Sequence, residues 1–456
     1  MNSSVDQRIR GSDAAAGKDS RWPARRAAIA VAVGLLLVAV AVAAPFILGD
    51  RLRSRIFALA APLFGRWEPH VGPGTVTSLV LALLAVTVIP RFLHRQPALP
   101  LALWTWLFGA LWTLSLAMID GWQRGIAGRL TRPDEYLAEV PGIHDIGAML
   151  SGFSGRILDF QPDSWTTHVS GHPPGSLLTF VVLDRLGLGG GAWAGLFCIV
   201  VGTSGLAAVI ITLVRLGAVD TARRCAPFLA FFPGLIWVGV SADGYYMGVT
   251  AWGIALLAIA ATTVGGRAVA AGLASGLVLG FGLFLNYGLI LAAVPAIAVP
   301  AAARAWKPLL WAVIGALIVV GAFWAGGFWW LDGYHLVVQR YYQGIASQRP
   351  FAYWGWANLA ATAIAVGPAT VAALGRAADR SLLRRPELWL GVAGLMALLI
   401  ADVSALSKAE TERIWLPFTV WMMTLTAVLP VRSARWWLGA QLVVALLVNH
   451  LVLTYW

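Results

Sequence analysis

Between Asp120 and Gly191 the chain concentrates side chains that can exchange protons or hold charge. Asp120, Asp134, Glu135, Glu139, Asp145, Asp159, Asp163, His144, His168 and His172 fall within it, and it passes through a Gly171-His-Pro-Pro-Gly175 turn. Three further polar stretches interrupt the apolar sequence. They are Ser241 to Tyr246 with Asp243, Asp332 to Tyr353 with Arg340 and Arg349, and Lys408 to Trp415 with Glu410, Glu412 and Arg413. A carboxylate can take the proton of an attacking hydroxyl. Arginine, lysine and histidine stabilise charge developing on a phosphate leaving group. An oxocarbenium-like sugar centre fits between the two. This set of residue types points to sugar transfer from a polyprenyl-phosphate donor. The base candidates are Asp120, Asp134 and Glu135. The candidates for substrate contact are His172, His168, Tyr136, Asp243, Arg340, Arg349, Lys408, Glu412 and Arg413.

Each has a plainer role beside the chemical one. Asp120 can end a helix or pair with Arg124, and Asp134, Glu135 or Asp243 can cap a following helix. His172 precedes two prolines that force extended geometry on it. Arg413 can pair with Glu410 or Glu412. His450 reads as a hydrogen-bonded packing residue. Most of the 23 tryptophans read as an interfacial belt. Asp402 lies in an apolar stretch, where a charge is costly and must face protein or water. It is the residue a transporter would use as a proton relay.

The elements that position these loops are apolar. Of 456 residues, 59% are hydrophobic and 12% charged, which predicts an all-α polytopic membrane protein. About 20 apolar residues cross a bilayer, and thirteen stretches qualify: 27–48, 74–90, 98–119, 191–214, 226–240, 246–264, 268–285, 288–303, 308–329, 354–375, 388–405, 415–431 and 437–454. Residues 1–26 read as a disordered cytoplasmic tail, and 27–119 as the first three spans with an outer interfacial helix at 51–68. The outer loop is 120–190, and 191–456 is a ten-span domain with outer loops at 241–245, 330–353 and 406–414. The segment 174–188 is too short to span and carries Asp184 and Arg185, so it reads as a surface helix.

Charge supports this order. Beyond residue 190 it places twelve basic residues inside (Arg215, Arg223, Arg224, Arg267, Arg304, Lys307, Arg376, Arg380, Arg384, Arg385, Arg432, Arg435) and four outside (Arg340, Arg349, Lys408, Arg413). A spanning 174–188 would invert that bias. Of 21 acidic residues, 15 fall outside or, for Asp402, within a span. The net charge of +12 is dispersed between spans, which excludes a nucleic-acid surface. Cys198 and Cys225 lie in or beside spans, which excludes a disulfide framework. Neither a Walker loop, a CxxC pair nor HExxH occurs.

Asp134-Glu135-Tyr136 in the first large outer loop, followed by His172-Pro173-Pro174-Gly175, resembles the GT-C superfamily of integral-membrane glycosyltransferases. That superfamily includes protein O-mannosyltransferases and aminoarabinose transferases. The Gly-His-Pro-Pro-Gly form is similar to uncharacterised actinobacterial members. The likeness covers residues 98–250 in motif order and the rest in architecture. It implies a GT-C-like fold, a loop carboxylate as base and inversion at the anomeric carbon. It also implies a cell-envelope glycan, lipid or protein acceptor at the outer face of the plasma membrane. No cofactor is expected, with a divalent metal as the alternative. Two spans precede the one entering the loop, unlike most members, and Asp120 rather than the Asp-Glu pair is nearest the membrane. The base is therefore open among the three. The alternatives are a flippase or transporter of a lipid-linked glycan, and a non-catalytic scaffold of an envelope-assembly complex.

Overall fold

The computed structural model describes residues 21–379 and 384–455, so most of the expected tail, and Arg380, lie outside the described residues. The protein is an all-α polytopic membrane protein. Among the described residues, nine helices are long and apolar enough to cross a membrane, and three more apolar helices are shorter. Leu35, Leu36, Leu83 and Leu317 are 61–65% exposed on these helices, a surface suited to lipid rather than water.

In chain order α1 is Arg21–Ile47, α2 Asp50–Ile56, α3 Gly74–Thr87, α4 Ile89–His94 and α5 Ala98–Ala117. The loop carries α6 Ile146–Gly152, α7 Thr167–Ser170 and α8 Pro174–Arg185. Then come α9 Gly191–Arg215, α10 Val219–Ala230, α11 Leu235–Val238, α12 Ala242–Ala261, α13 Gly266–Leu283, α14 Ala293–Ala303 and α15 Lys307–Ala325. The last group is α16 Trp330–Gln343, α17 Phe351–Ala377, α18 Trp389–Val403, α19 Thr411–Ile414, α20 Leu416–Met422 and α21 Val431–Leu451. Strands β1 (Gly65–Trp67) and β2 (Val452–Thr454) pair antiparallel.

Small residues let the helices approach closely. A Cβ on Gly248 of α12 would lie 2.0 Å from the carbonyl oxygen of Val201 on α9, so these two backbones touch. The stretch expected as one span at 226–240 is broken instead. Pro233 separates α10 from α11 and packs against Gly367, where α17 kinks at φ 78. The kink exposes the Ala365 carbonyl, and the Gly234 N–H bonds to it at 2.7 Å. Each break satisfies the other's backbone, as hydrocarbon surroundings require.

The interfacial helix expected at 51–68 is cut short. It ends at Ile56, Phe57 takes φ 50, and the chain continues through Pro62 into β1. The reason is pairing at distance: β1 docks on β2, and the N–H groups of Glu68 and His70 bond to the carbonyls of Leu451 and His450 at 3.0 and 2.8 Å. The segment expected as a surface helix at 174–188 forms α8, which ends at Arg185 and buries Leu177, Phe180 and Val181.

Two sets of loops gather at opposite ends of the bundle. At one, Arg223 bonds to the Gln96 carbonyl, Arg224 to that of Leu429, Arg376 to that of Val428, and Arg385 to Thr221 and Glu387. At the other, the 49–73 segment, the acidic loop, the loops at 241, 284–292, 326–350 and 404–411, and β2 come together.

Candidate functional site

The site grows from a tight turn. The N–H of Glu135 bonds to the Arg132 carbonyl at 2.9 Å, and Tyr136–Ala138 follow as a single 3-10 turn. Neither carboxylate of Asp134 and Glu135 caps it. His168 on α7 fastens to the same turn twice, its N–H at 3.0 Å and its Nδ1 at 2.8 Å from the Asp134 carbonyl oxygen. A carbonyl only accepts, so Nδ1 carries a proton. Nε2 meets a guanidinium nitrogen of Arg413 at 3.5 Å.

Arg413 is the hub. It projects from α19 into a buried acidic shell, pairing with Asp243 of α12 and, at 2.6 Å, with Glu410. Glu135 Oε1 lies 3.7 Å and Asp134 Oδ2 3.8 Å from His168 Nδ1. Burial opposes the charge on Arg413, but Asp243, Glu410 and Glu135 outweigh it and hold its pKa above the ordinary value. Burial would raise the Glu410 pKa, and Arg413 and Arg349 bring it below the usual carboxylate range. Ser241, not Asp243, caps α12, accepting from the Gly244 N–H at 3.2 Å. Asp243 is thereby left for Arg413.

Exposure separates the three candidate bases. The Asp134 side chain is 36% exposed, against 2% for Glu135 and 7% for Asp120. Asp120 stands in a second cluster. Its Oδ1 meets His70 Nε2 at 2.9 Å, and its Oδ2 meets Arg129 at 2.7 Å and Arg124 at 3.5 Å. The pairing with Arg124 was legible; His70 and Arg129 were not. Burial brings Arg129 down to about 10, with Asp120 opposing the shift. Arg124 and Arg129 reach the Thr454 carbonyl at 3.3 and 3.1 Å, and Arg132 reaches that of Tyr455 at 3.3 Å. The three arginines thus form a row along the last strand. Arg132 ends it beside Asp134, at 3.4 Å.

Behind the turn, Tyr136, Tyr246 and Ser176 form a relay of hydroxyls. The Ser176 hydroxyl donates to the Leu285 carbonyl at 2.5 Å, so it accepts from Tyr246 at 2.7 Å, which accepts from Tyr136 at 2.9 Å. His172 packs within this group, edge-on to Tyr136 and tilted against Tyr246, its ring centroid 5.7 Å from both. Its Nδ1–H donates to the His168 carbonyl at 2.7 Å. Burial lowers its pKa to about 4, so it is neutral at physiological pH. His172, a candidate for substrate contact, is therefore a neutral hydrogen-bonding group in this arrangement. Gly175 ends the motif because a Cβ there would lie 2.5 Å from the Phe284 carbonyl oxygen.

The remaining expected residues brace the site from further out. Arg340 pairs with Asp159 and bonds to Ser170 Oγ at 3.1 Å. Arg349 bonds to the Lys408 carbonyl at 2.8 Å and Glu410 at 3.3 Å, and stacks on Phe64 and Trp354. Lys408 Nζ is buried against the Ala346 carbonyl at 3.0 Å. Glu412 accepts the Phe64 N–H at 2.7 Å, and burial pushes its carboxyl up to about 7. Asp402 accepts from Asn358 Nδ2 at 2.9 Å, and His450 bonds to Thr75 and the Leu446 carbonyl as a packing residue.

Sequence reading missed Glu410 and Tyr246 as site members. Tyr246 had a signal, since it stands three residues after Asp243 and so shares its helix face. Glu410 was legible only as a possible ion-pair partner of Arg413, three residues on.

Asp134, Glu135 and His168 offer ligand atoms within 4.8 Å of one another, close enough to hold a divalent cation. In the present arrangement His168 spends Nδ1 on the Asp134 carbonyl and turns Nε2 to Arg413. A metal at this trio therefore requires its ring to turn. Compared with family models, with curated proteins and with solved structures, the chain shows no match.

Proposed function

We propose that this protein is an inverting membrane glycosyltransferase of the GT-C type. It moves a sugar from a polyprenyl-phosphate donor to a cell-envelope acceptor at the extracytoplasmic face of the plasma membrane. One observation carries the reading: of the three candidate bases Asp134 is the open one, 36% exposed beside the buried Arg413–Asp243 cluster at one end of a membrane bundle. The orientation rests on the sequence count of basic residues beyond residue 190, twelve assigned to inner loops against four to outer ones.

Asp134 takes the proton of the acceptor hydroxyl as that oxygen bonds to the anomeric carbon. The bond from that carbon to the phosphate oxygen breaks, and the polyprenyl phosphate leaves with the electron pair. Arg132, 39% exposed beside Asp134, and Arg124, 45% exposed in the same row, offer charge to that phosphate. Arg413 organises the carboxylates instead of meeting the donor. Glu135 and Asp243 fix Arg413, and Arg413 with the Asp134 carbonyl fixes His168.

The test is transfer in native membranes supplied with a panel of polyprenyl-phosphate sugars. Asp134→Asn lowers turnover by about 10²- to 10⁴-fold, the usual contribution of a positioned base. Its melting temperature is unchanged, since the side chain is part-exposed. Absence of donor consumption by the wild type overturns the reading, and a scaffold role would leave no turnover for Asp134→Asn to lower.

A further inference from the structure

Outside the charged cluster, a groove of about 550 Å³ runs between the 154–161 segment and α16, lined by Ser154, Leu158, Gln161, Asp332, His335 and Leu336. Asp332 and His335 are exposed and stand one helical turn apart on α16. Phe160, which precedes the lining residue Gln161 in sequence, is 82% exposed and holds φ 65. That backbone conformation is disfavoured for a bulky residue and persists only where neighbouring contacts impose it. The contacts are explicit. The Asp159 N–H bonds to Gln343 Oε1 at 2.8 Å, Asp159 pairs with Arg340, and the Gln161 N–H bonds to Ser164 Oγ at 3.0 Å. Asp159 ties the turn to α16 on one side and Ser164 closes it on the other, and the Phe160 ring between them is left exposed.

We propose that this groove and the Phe160 ring bind the acceptor as a neutral saccharide chain. The proposal rests on the glycosyl-transfer reading and names the acceptor's chemistry. A carboxylate, an imidazole, a primary amide and a hydroxyl together supply donors and acceptors for sugar hydroxyls. An exposed ring supplies a flat apolar face for the C–H side of a pyranose or furanose. A lipid surface is the other partner an exposed phenylalanine suits. Asp163, 69% exposed and three residues beyond Phe160, and Asp332 in the groove bring negative charge to this surface, which disfavours anionic lipid. The position also suits an acceptor. From His335 to Arg340 is about 7.5 Å along the helix, and Arg340 bonds to Ser170, two residues from both His168 and His172.

The experiment is titration of short mannan, arabinan and glucan oligomers into the full chain in lipid nanodiscs, by calorimetry and saturation-transfer NMR. Wild type and Asp134→Asn bind one of the three oligomers equally. Phe160→Ala and Asp332→Asn bind it about tenfold more weakly while eluting as folded protein. In transfer assays the same two variants raise the acceptor KM and leave kcat and the donor KM unchanged. Equal binding by wild type and both groove variants overturns the proposal, as does absence of saturable binding of all three oligomers to the wild type. A dye at Phe160→Cys that shifts to the blue in anionic nanodiscs but ignores oligomers also overturns it, and makes the rim a membrane anchor. Saccharide binding lost in the groove variants without any transfer by the wild type sustains the groove and removes the transferase reading alone.

Discussion

Removing the Arg413 guanidinium is the most direct test of the buried cluster. The side chain is 7% exposed, and its partner Asp243 is 2% exposed. Among the described residues Asp243 Oδ1 has no hydrogen-bond partner, so the carboxylate depends on Oδ2 and Arg413 for compensation. Arg413→Gln leaves Asp243 and Glu410 facing each other without their shared cation. Breaking one side of a buried pair costs about 3–5 kcal/mol, whereas an exposed pair is worth about 0–1 kcal/mol. Against a total stability of about 5–15 kcal/mol, the buried case lowers the melting temperature sharply and the exposed case is near the limit of detection. The second variant isolates the cause. Asp243→Asn added to Arg413→Gln removes the stranded charge, so the double variant melts above Arg413→Gln alone. The assay is thermal unfolding in detergent at fixed pH, read by intrinsic fluorescence, with gel filtration to confirm a monodisperse species. Arg413→Gln melting with the wild type, or a double variant no more stable than the single, refutes the reasoning.

Three further outcomes follow from the same geometry. Asp120→Asn strands Arg129, 7% exposed, and costs about 3 kcal/mol; its loss of activity in membranes tracks loss of folded protein, unlike that of Asp134→Asn. The folded Glu412 carboxyl keeps its proton to about pH 7 against an ordinary 4.5. Stability therefore falls as pH rises between those values, by roughly 3 kcal/mol at about 1.4 kcal/mol per pH unit. Glu412→Gln, which keeps an acceptor for Phe64, flattens the melting temperature across that window. Gly175→Ala drives a methyl to 2.5 Å from the Phe284 carbonyl and separates Ser176 from Leu285, and a drop in the melting temperature reports it.

Hydropathy made the bundle legible, because a span must satisfy its own backbone and present apolar side chains to lipid, and both show locally in sequence. Where backbone groups are satisfied across the fold, local reading fails. The 51–68 segment has Ile56, Leu59, Leu63 and Phe64 at helical spacing, yet β2, almost 400 residues away by number, takes its backbone into a strand. Pro62 and Gly65 were the local signs against a long helix. The site was legible as a list of residues but not as an arrangement. Asp134, Glu135, Tyr136, His168, His172, Asp243 and Arg413 do come together, while Asp120, Arg340, Arg349, Lys408 and Glu412 are committed to bracing contacts around them. Nothing local distinguishes Arg413, which meets a carboxylate 170 residues away, from Arg349, which fixes backbone carbonyls.

Asp402 shows the same division of labour inside the membrane. As a proton relay it would have to face a water path and hand its proton to a second titratable group. Its surroundings are instead those of a tether. The residue is 6% exposed, and its Oδ1 accepts from Asn358 Nδ2. The same amide nitrogen donates to the Ser407 carbonyl at 2.7 Å, and Asn358 Oδ1 accepts the Ala409 N–H at 3.3 Å. Ala409 and Glu410 hold φ values of 76 and 64, the left-handed region, where non-glycine residues need external restraint. Asn358 supplies that restraint at Ala409, and Asp402 fixes which way the amide points. Glu410 and Arg413 follow directly. The intramembrane acid thereby sets the loop that carries the hub of the charged cluster, and a transport path is not required to account for it.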